Sequence, residues 1–90
     1  MRKVFKYRLN GPGTITEIDA ASLNAPVLVA EQREEPHIWL EALPSVTLKR
    51  RFLIVGTGWD IPEQAKHVGS YQSVGGVFIW HVYELFGSAA

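Results

Sequence analysis

Gly, Pro and Asn punctuate this chain at short intervals, at 10–13, 24–26, 36, 44, 56–58, 62, 69 and 75–76. Between these breaks, apolar and polar residues tend to alternate two by two. An amphipathic helix needs several uninterrupted turns with apolar residues every three or four positions, and proline or glycine ends it. A strand needs only a handful of residues and a turn at each end. The punctuation therefore excludes a helical bundle and predicts an all-β domain, a small antiparallel β-sandwich or partly open barrel of six to seven short strands.

The strands can be placed individually. In "KVFKYRL", Phe5, Tyr7 and Leu9 alternate with Lys6 and Arg8, one dry face and one wet, before "NGPG" turns the chain. "TITEI" is a short second strand in which Ile15 and Ile18 break strict alternation, so a bulge is expected there. "DAASLNAP" reads as a loop, ended by Asn24 and Pro26. "VLVAEQ" and "HIWLEAL" flank "REEP" as a hairpin from Val27 to Leu43, with Ile38, Leu40 and Ala42 on the core face and His37, Trp39 and Glu41 outside. "RFLIVGT" is apolar on both faces, as a central strand is. "HVGSYQ" and "GGVFIWHVYELF" supply the last two strands.

Ninety residues make one domain, 1–90, and 47% hydrophobic content is enough to build its core. Nine basic and nine acidic side chains cancel. The chain thus lacks the positive field that draws a protein onto duplex nucleic acid or anionic lipid, and neither is expected as a partner. No cysteine is present, which excludes disulfides, thiolate metal sites and a cysteine nucleophile. Lys6 and Arg8 interrupt the first apolar residues before a signal-peptide core can form, and no apolar run approaches the roughly 20 residues of a membrane span. A cytoplasmic protein is the expectation.

The closing strand raises a packing problem. Phe78, Trp80, Val82 and Phe86 alternate with Val77, Ile79, Tyr83 and Leu85, and so small a domain has little mass with which to cover both faces. A bare patch of several hundred Å² is unusual on a soluble monomer. The expectation is a homo-oligomer with Phe78, Trp80, Val82 and Phe86 at its interface; the alternative is a sandwich whose two sheets hide these residues internally.

Catalytic signatures are missing. Gly56 and Gly58 follow a strand as in dinucleotide folds, but Ile61 stands where the third glycine belongs and Pro62 where the helix would open, so a turn is the simpler reading. His37, His67 and His81 show no metal-ligand spacing, and His81 is expected to be partly buried and hydrogen-bonded to a neighbour. Asp60 and Glu63, the acidic pair that follows the glycines, read as a solvated loop. No serine lies in a G-x-S-x-G elbow. No enzyme activity, cofactor or metal is expected. What remains is a binding surface: Arg50 and Arg51, whose guanidinium groups could fork a phosphate, with Trp39, Trp59 and His37 offering rings for stacking. Charged residues that protect an edge strand are the ordinary alternative.

The blocks "VLVAEQREEPHIWLEAL", "RRFLIVGTGWDIP" and "HVGSYQ…GGVFIWHVYE" resemble a family of small uncharacterised proteins encoded by bacteriophages and bacteria, over nearly the whole chain. That family often has His-Pro after "GTG", where this chain has Trp59-Asp60. The resemblance implies a phage or prophage setting, in the host cytoplasm, and action by stoichiometric binding. Three roles fit it: a sponge that sequesters a host nucleotide signal, a protein inhibitor that docks on a host defence or replication enzyme, or a minor structural part of the phage.

Overall fold

The computed structural model describes residues 2–20, 22, 24–43 and 48–86. Among the described residues seven strands form: β1 (Lys3–Arg8), β2 (Thr16–Ala20), β3 (Leu28–Gln32), β4 (Glu35–Ala42), β5 (Leu48–Gly56), β6 (Ala65–Gln72) and β7 (Ile79–Leu85). They pair antiparallel into a three-stranded sheet, β1-β4-β3, and a four-stranded sheet, β2-β5-β7-β6. The protein is the all-β sandwich its punctuation predicts. Among the described residues the only helical segment is a single 3₁₀ turn at Val74–Gly76, and no helix is long and apolar enough to cross a membrane.

The core lies between the sheets. Ile38 and Leu40 of β4 face Phe52 and Ile54 of β5 and Val82 of β7, and these five side chains are fully buried. Each contributes on the order of 1.5–3 kcal/mol by leaving water. The face assignment of β4 from its alternation was correct. The β3–β4 hairpin turns at Arg33 and Glu34, both with positive φ (52° and 66°), as a two-residue hairpin turn requires. β2 starts and ends two residues later than "TITEI" and takes Asp19 and Ala20 from the expected loop. Ala20 completes the buried set with Thr16 and Ile18, while Asp19 reaches Lys49 on the neighbouring strand.

The two long sides of the sandwich differ. On one, β3 meets β6 closely: a Cβ on Gly69 would come within 2.3 Å of Val29 Cγ2, so only glycine fits there. On the other, β1 overhangs, and Phe5, on the inward face opposite Leu40, remains 48% exposed.

The closing strand requires a correction. Val82 is fully buried in the core and Trp80 is half-buried against it. Neither Val82 nor most of Trp80 is available to a second subunit, because the three-stranded sheet already covers that face. The exposed members of the expected interface, Phe78 and Phe86, lie just beyond the two ends of β7.

Candidate functional site

The "GTG" segment is a turn. Trp59 N–H donates to Gly56 O (3.1 Å) and Gly58 sits at φ 89°, a position that favours glycine. Gly56 has a second role, since a Cβ there would lie 2.9 Å from Trp59 Cε2 and 3.1 Å from Trp80 Cζ3. Its bare backbone lets Trp59 fold back edge-on against Trp80, with centroids 5.8 Å apart and planes at 74°. Phe78 also packs against Trp80, with centroids 5.8 Å apart and planes at 35°. The three rings and Gly56, Thr57, Val77 and Ile79 enclose a hollow of about 410 Å³ at one end of the sandwich. None of the lining residues is charged. Val77 is 73%, Phe78 59% and Trp59 49% exposed, so this end presents contiguous apolar surface.

A line of hydrogen bonds runs from this hollow across the outer face of the four-stranded sheet. His67 Nε2 and His81 Nδ1 each stand 2.9 Å from Ser70 Oγ, and His81 Nε2 stands 3.0 Å from Thr57 Oγ1. One proton arrangement satisfies every member: His67 Nε2–H donates to Ser70, Ser70 O–H to His81 Nδ1, His81 Nε2–H to Thr57, and Thr57 O–H points to Ile79 O at 3.5 Å. Tyr83 packs edge-on against His67 at 5.3 Å. His81 is half-buried and hydrogen-bonded, as expected of it. In a regular strand His67 and Ser70, three apart, would face opposite ways. The register shift between His67 and Gly69 turns both outward, opposite Tyr83 and His81. The bulge lies in β6 rather than in "TITEI".

The residues proposed for phosphate recognition are not assembled. Arg50 is buried and corrects the expectation directly: its Nε and Nη2 donate to the two carboxylate oxygens of Glu84, both at 2.7 Å, and Nη1 to Ser22 O (2.8 Å) and Asn24 O (3.1 Å). Its fork is spent inside the protein. Arg51, one residue on, faces outward on the four-stranded sheet opposite Glu17 and Leu85. Trp39 and His37 sit together, centroids 6.2 Å apart, on the outer face of the other sheet. Trp59 is at the end. Of the five, His37 and Trp39 are brought together, whereas Arg50 and Arg51, adjacent in the chain, face opposite ways.

A larger hollow, about 670 Å³, lies beside His37 and is lined by Lys6, Gln32, Arg33 and Glu35. Several of its polar groups are already engaged: Lys6 donates to Gln32 (3.0 Å), His37 Nδ1–H to Glu35 O (2.9 Å), and Glu35 pairs with Arg8 (3.5 Å). In the aromatic hollow Thr57 is engaged with His81 and Ile79, but the rest of the lining presents exposed apolar surface, which makes it the better candidate. On the outer face of the four-stranded sheet, Lys49 bridges Asp19 (3.1 Å) and Glu17 (3.4 Å). Its hydrogen bond to Asp19, then that to Glu17, raises the ammonium's pKa.

Fold and site together define a small two-sheet all-β domain with an uncharged aromatic hollow at one end. The chain belongs to a family described as a domain of unknown function, DUF7352, whose model matches residues 1–89. No curated protein and no solved structure matches it.

Proposed function

We propose that the protein is a non-enzymatic binding domain that associates stoichiometrically with a protein partner through its aromatic end. The observation that carries this reading is the contiguous exposure of Val77, Phe78 and Trp59 around an uncharged hollow. Aromatic side chains are enriched at the cores of protein interfaces and charged residues are depleted there. A nucleotide would require a cationic fork, and Arg50 spends its own on Glu84. The protein-inhibitor role is therefore preferred to the nucleotide sponge. In the phage setting that the resemblance implies, the partner is a host defence or replication enzyme, reached in the host cytoplasm; a second copy of the chain is the competing occupant.

A photo-cross-linking amino acid placed at Phe78, and separately at Val4 on the opposite sheet as a control, tests this in cells. Expected is one discrete adduct from position 78 and none from position 4. An adduct of twice the chain's mass identifies the partner as a second copy. Equal labelling from both positions, or none from 78, defeats the proposal. A melt raised by nucleotides and returned to baseline by Trp59→Ala would restore the nucleotide ligand.

A further inference from the structure

We propose that His67 and His81 form a binding site for a single divalent transition-metal ion, Zn²⁺ in the first instance, on the outer face of the four-stranded sheet. The inference stands apart from the aromatic end and does not depend on it. His67 Nε2 and His81 Nδ1 converge on one point, each 2.9 Å from Ser70 Oγ. A zinc ion holds imidazole nitrogens at about 2.0–2.1 Å, which places two of them about 3.4 Å apart in a tetrahedral arrangement. Their ring centroids then stand about 5 Å apart, against 6.3 Å here. A small turn of the exposed His67 side chain closes that gap.

The protonation pattern already suits a metal at His81, while His67, whose Nε2–H donates to Ser70 in that arrangement, must carry its proton on Nδ1 instead in order to ligate. In that arrangement Thr57 Oγ1 accepts from His81 Nε2–H at 3.0 Å, which leaves the lone pair on Nδ1. Metal-binding histidines are oriented in this way, by a hydrogen bond from the ring nitrogen that does not ligate. Ser70 O–H, the present partner of that lone pair, swings aside or stays as a weak oxygen ligand. Both ligands come from paired strands, so the β6–β7 ladder sets their spacing. Among the described residues no third His, Cys, Asp or Glu joins them. The remaining coordination positions are open to water or to a donor from a bound partner.

The test is calorimetric titration of tag-free, full-length protein with ZnCl₂, together with NMR of the histidine ring nitrogens. Expected is one saturable equivalent of Zn²⁺ per chain, with the His67 Nε2 and His81 Nδ1 resonances shifting. His67→Gln and His81→Gln should each weaken binding at least about tenfold, and Thr57→Val about tenfold through the lost orienting bond. His37→Gln, on the other sheet, should change nothing. Unaltered melting temperatures in the glutamine variants separate lost ligation from lost structure. Absence of saturable binding, shifts confined to His37, or full binding retained in both glutamine variants would overturn the site.

Discussion

Replacing Arg50 by Met should cost more stability than any surface change in this protein. The guanidinium makes two bonds of 2.7 Å to Glu84 and two more, at 2.8 and 3.1 Å, to the carbonyls of Ser22 and Asn24. The side chains of the ion pair are 3% and 7% exposed. Methionine fills most of the volume, but it leaves the Glu84 carboxylate buried without a counter-charge, a loss of about 3–5 kcal/mol, with the two orphaned carbonyls pushing toward the upper end. A domain this size has about 5–13 kcal/mol in total. At 4–8 °C per kcal/mol, the melting temperature should fall by roughly 12–40 °C. The decisive comparison is Arg50→Met with Glu84→Leu. Removing both charges should recover stability to within about 1–2 kcal/mol of the parent, because the desolvation penalty goes with them. Urea unfolding followed by tryptophan fluorescence and circular dichroism gives all four corners of the cycle. A single substitution costing under about 1 kcal/mol, or a double variant that simply sums the two singles, would refute the argument.

Two further outcomes rest on the side where β3 meets β6. Gly69→Ala should destabilise by about 1–3 kcal/mol, since its methyl must displace a β-branched Val29 Cγ2 that would lie 2.3 Å away; recovery in the Gly69→Ala, Val29→Ala double variant, measured in the same urea assay, checks that this contact is the cause. Burial, and secondarily Glu31, pushes the Tyr71 hydroxyl up to about 12. The unfolded chain therefore loses that proton first, near pH 10, and stability falls between about pH 10 and 12, by no more than about 2–3 kcal/mol. Tyr71→Phe should flatten that part of the stability–pH profile; an unchanged slope would show that the hydroxyl is not responsible.

Individual positions show what the chain discloses before it folds. Ile38 and Leu40 were assignable to the core because strict alternation on one strand leaves no other face for them. The hairpin and the turn at Gly56–Trp59 were equally legible, being local. Arg50 was not: a cation between Lys49 and Arg51 reads as surface, and only Glu84, 34 positions away, makes its burial tolerable. β7 misled for the same reason, since alternation separates Trp80 and Val82 from Ile79 and Tyr83 but does not say that another sheet covers the first pair. His67 and Ser70 were missed as companions because a bulge reverses parity, and a two-residue period carries no mark of where one residue is extra. Trp59 was recognised as a surface ring, but its neighbour Trp80 comes from β7, beyond the whole of β6.

The contact between Val29 and Gly69 also bears on how the chain reaches its fold. β3–β4 and β6–β7 are the two pairings made between consecutive strands, and each sheet contains one of them. Such ribbons close in about 1–10 μs, whereas pairings between distant segments must wait on slower chain encounters. Val29 and Gly69 are where the two ribbons touch. A nucleus made when these preformed halves collide would give the remaining strands, β1, β2 and β5, a template on which to add, so the rate would be governed by one docking event between ribbons rather than by five independent pairings.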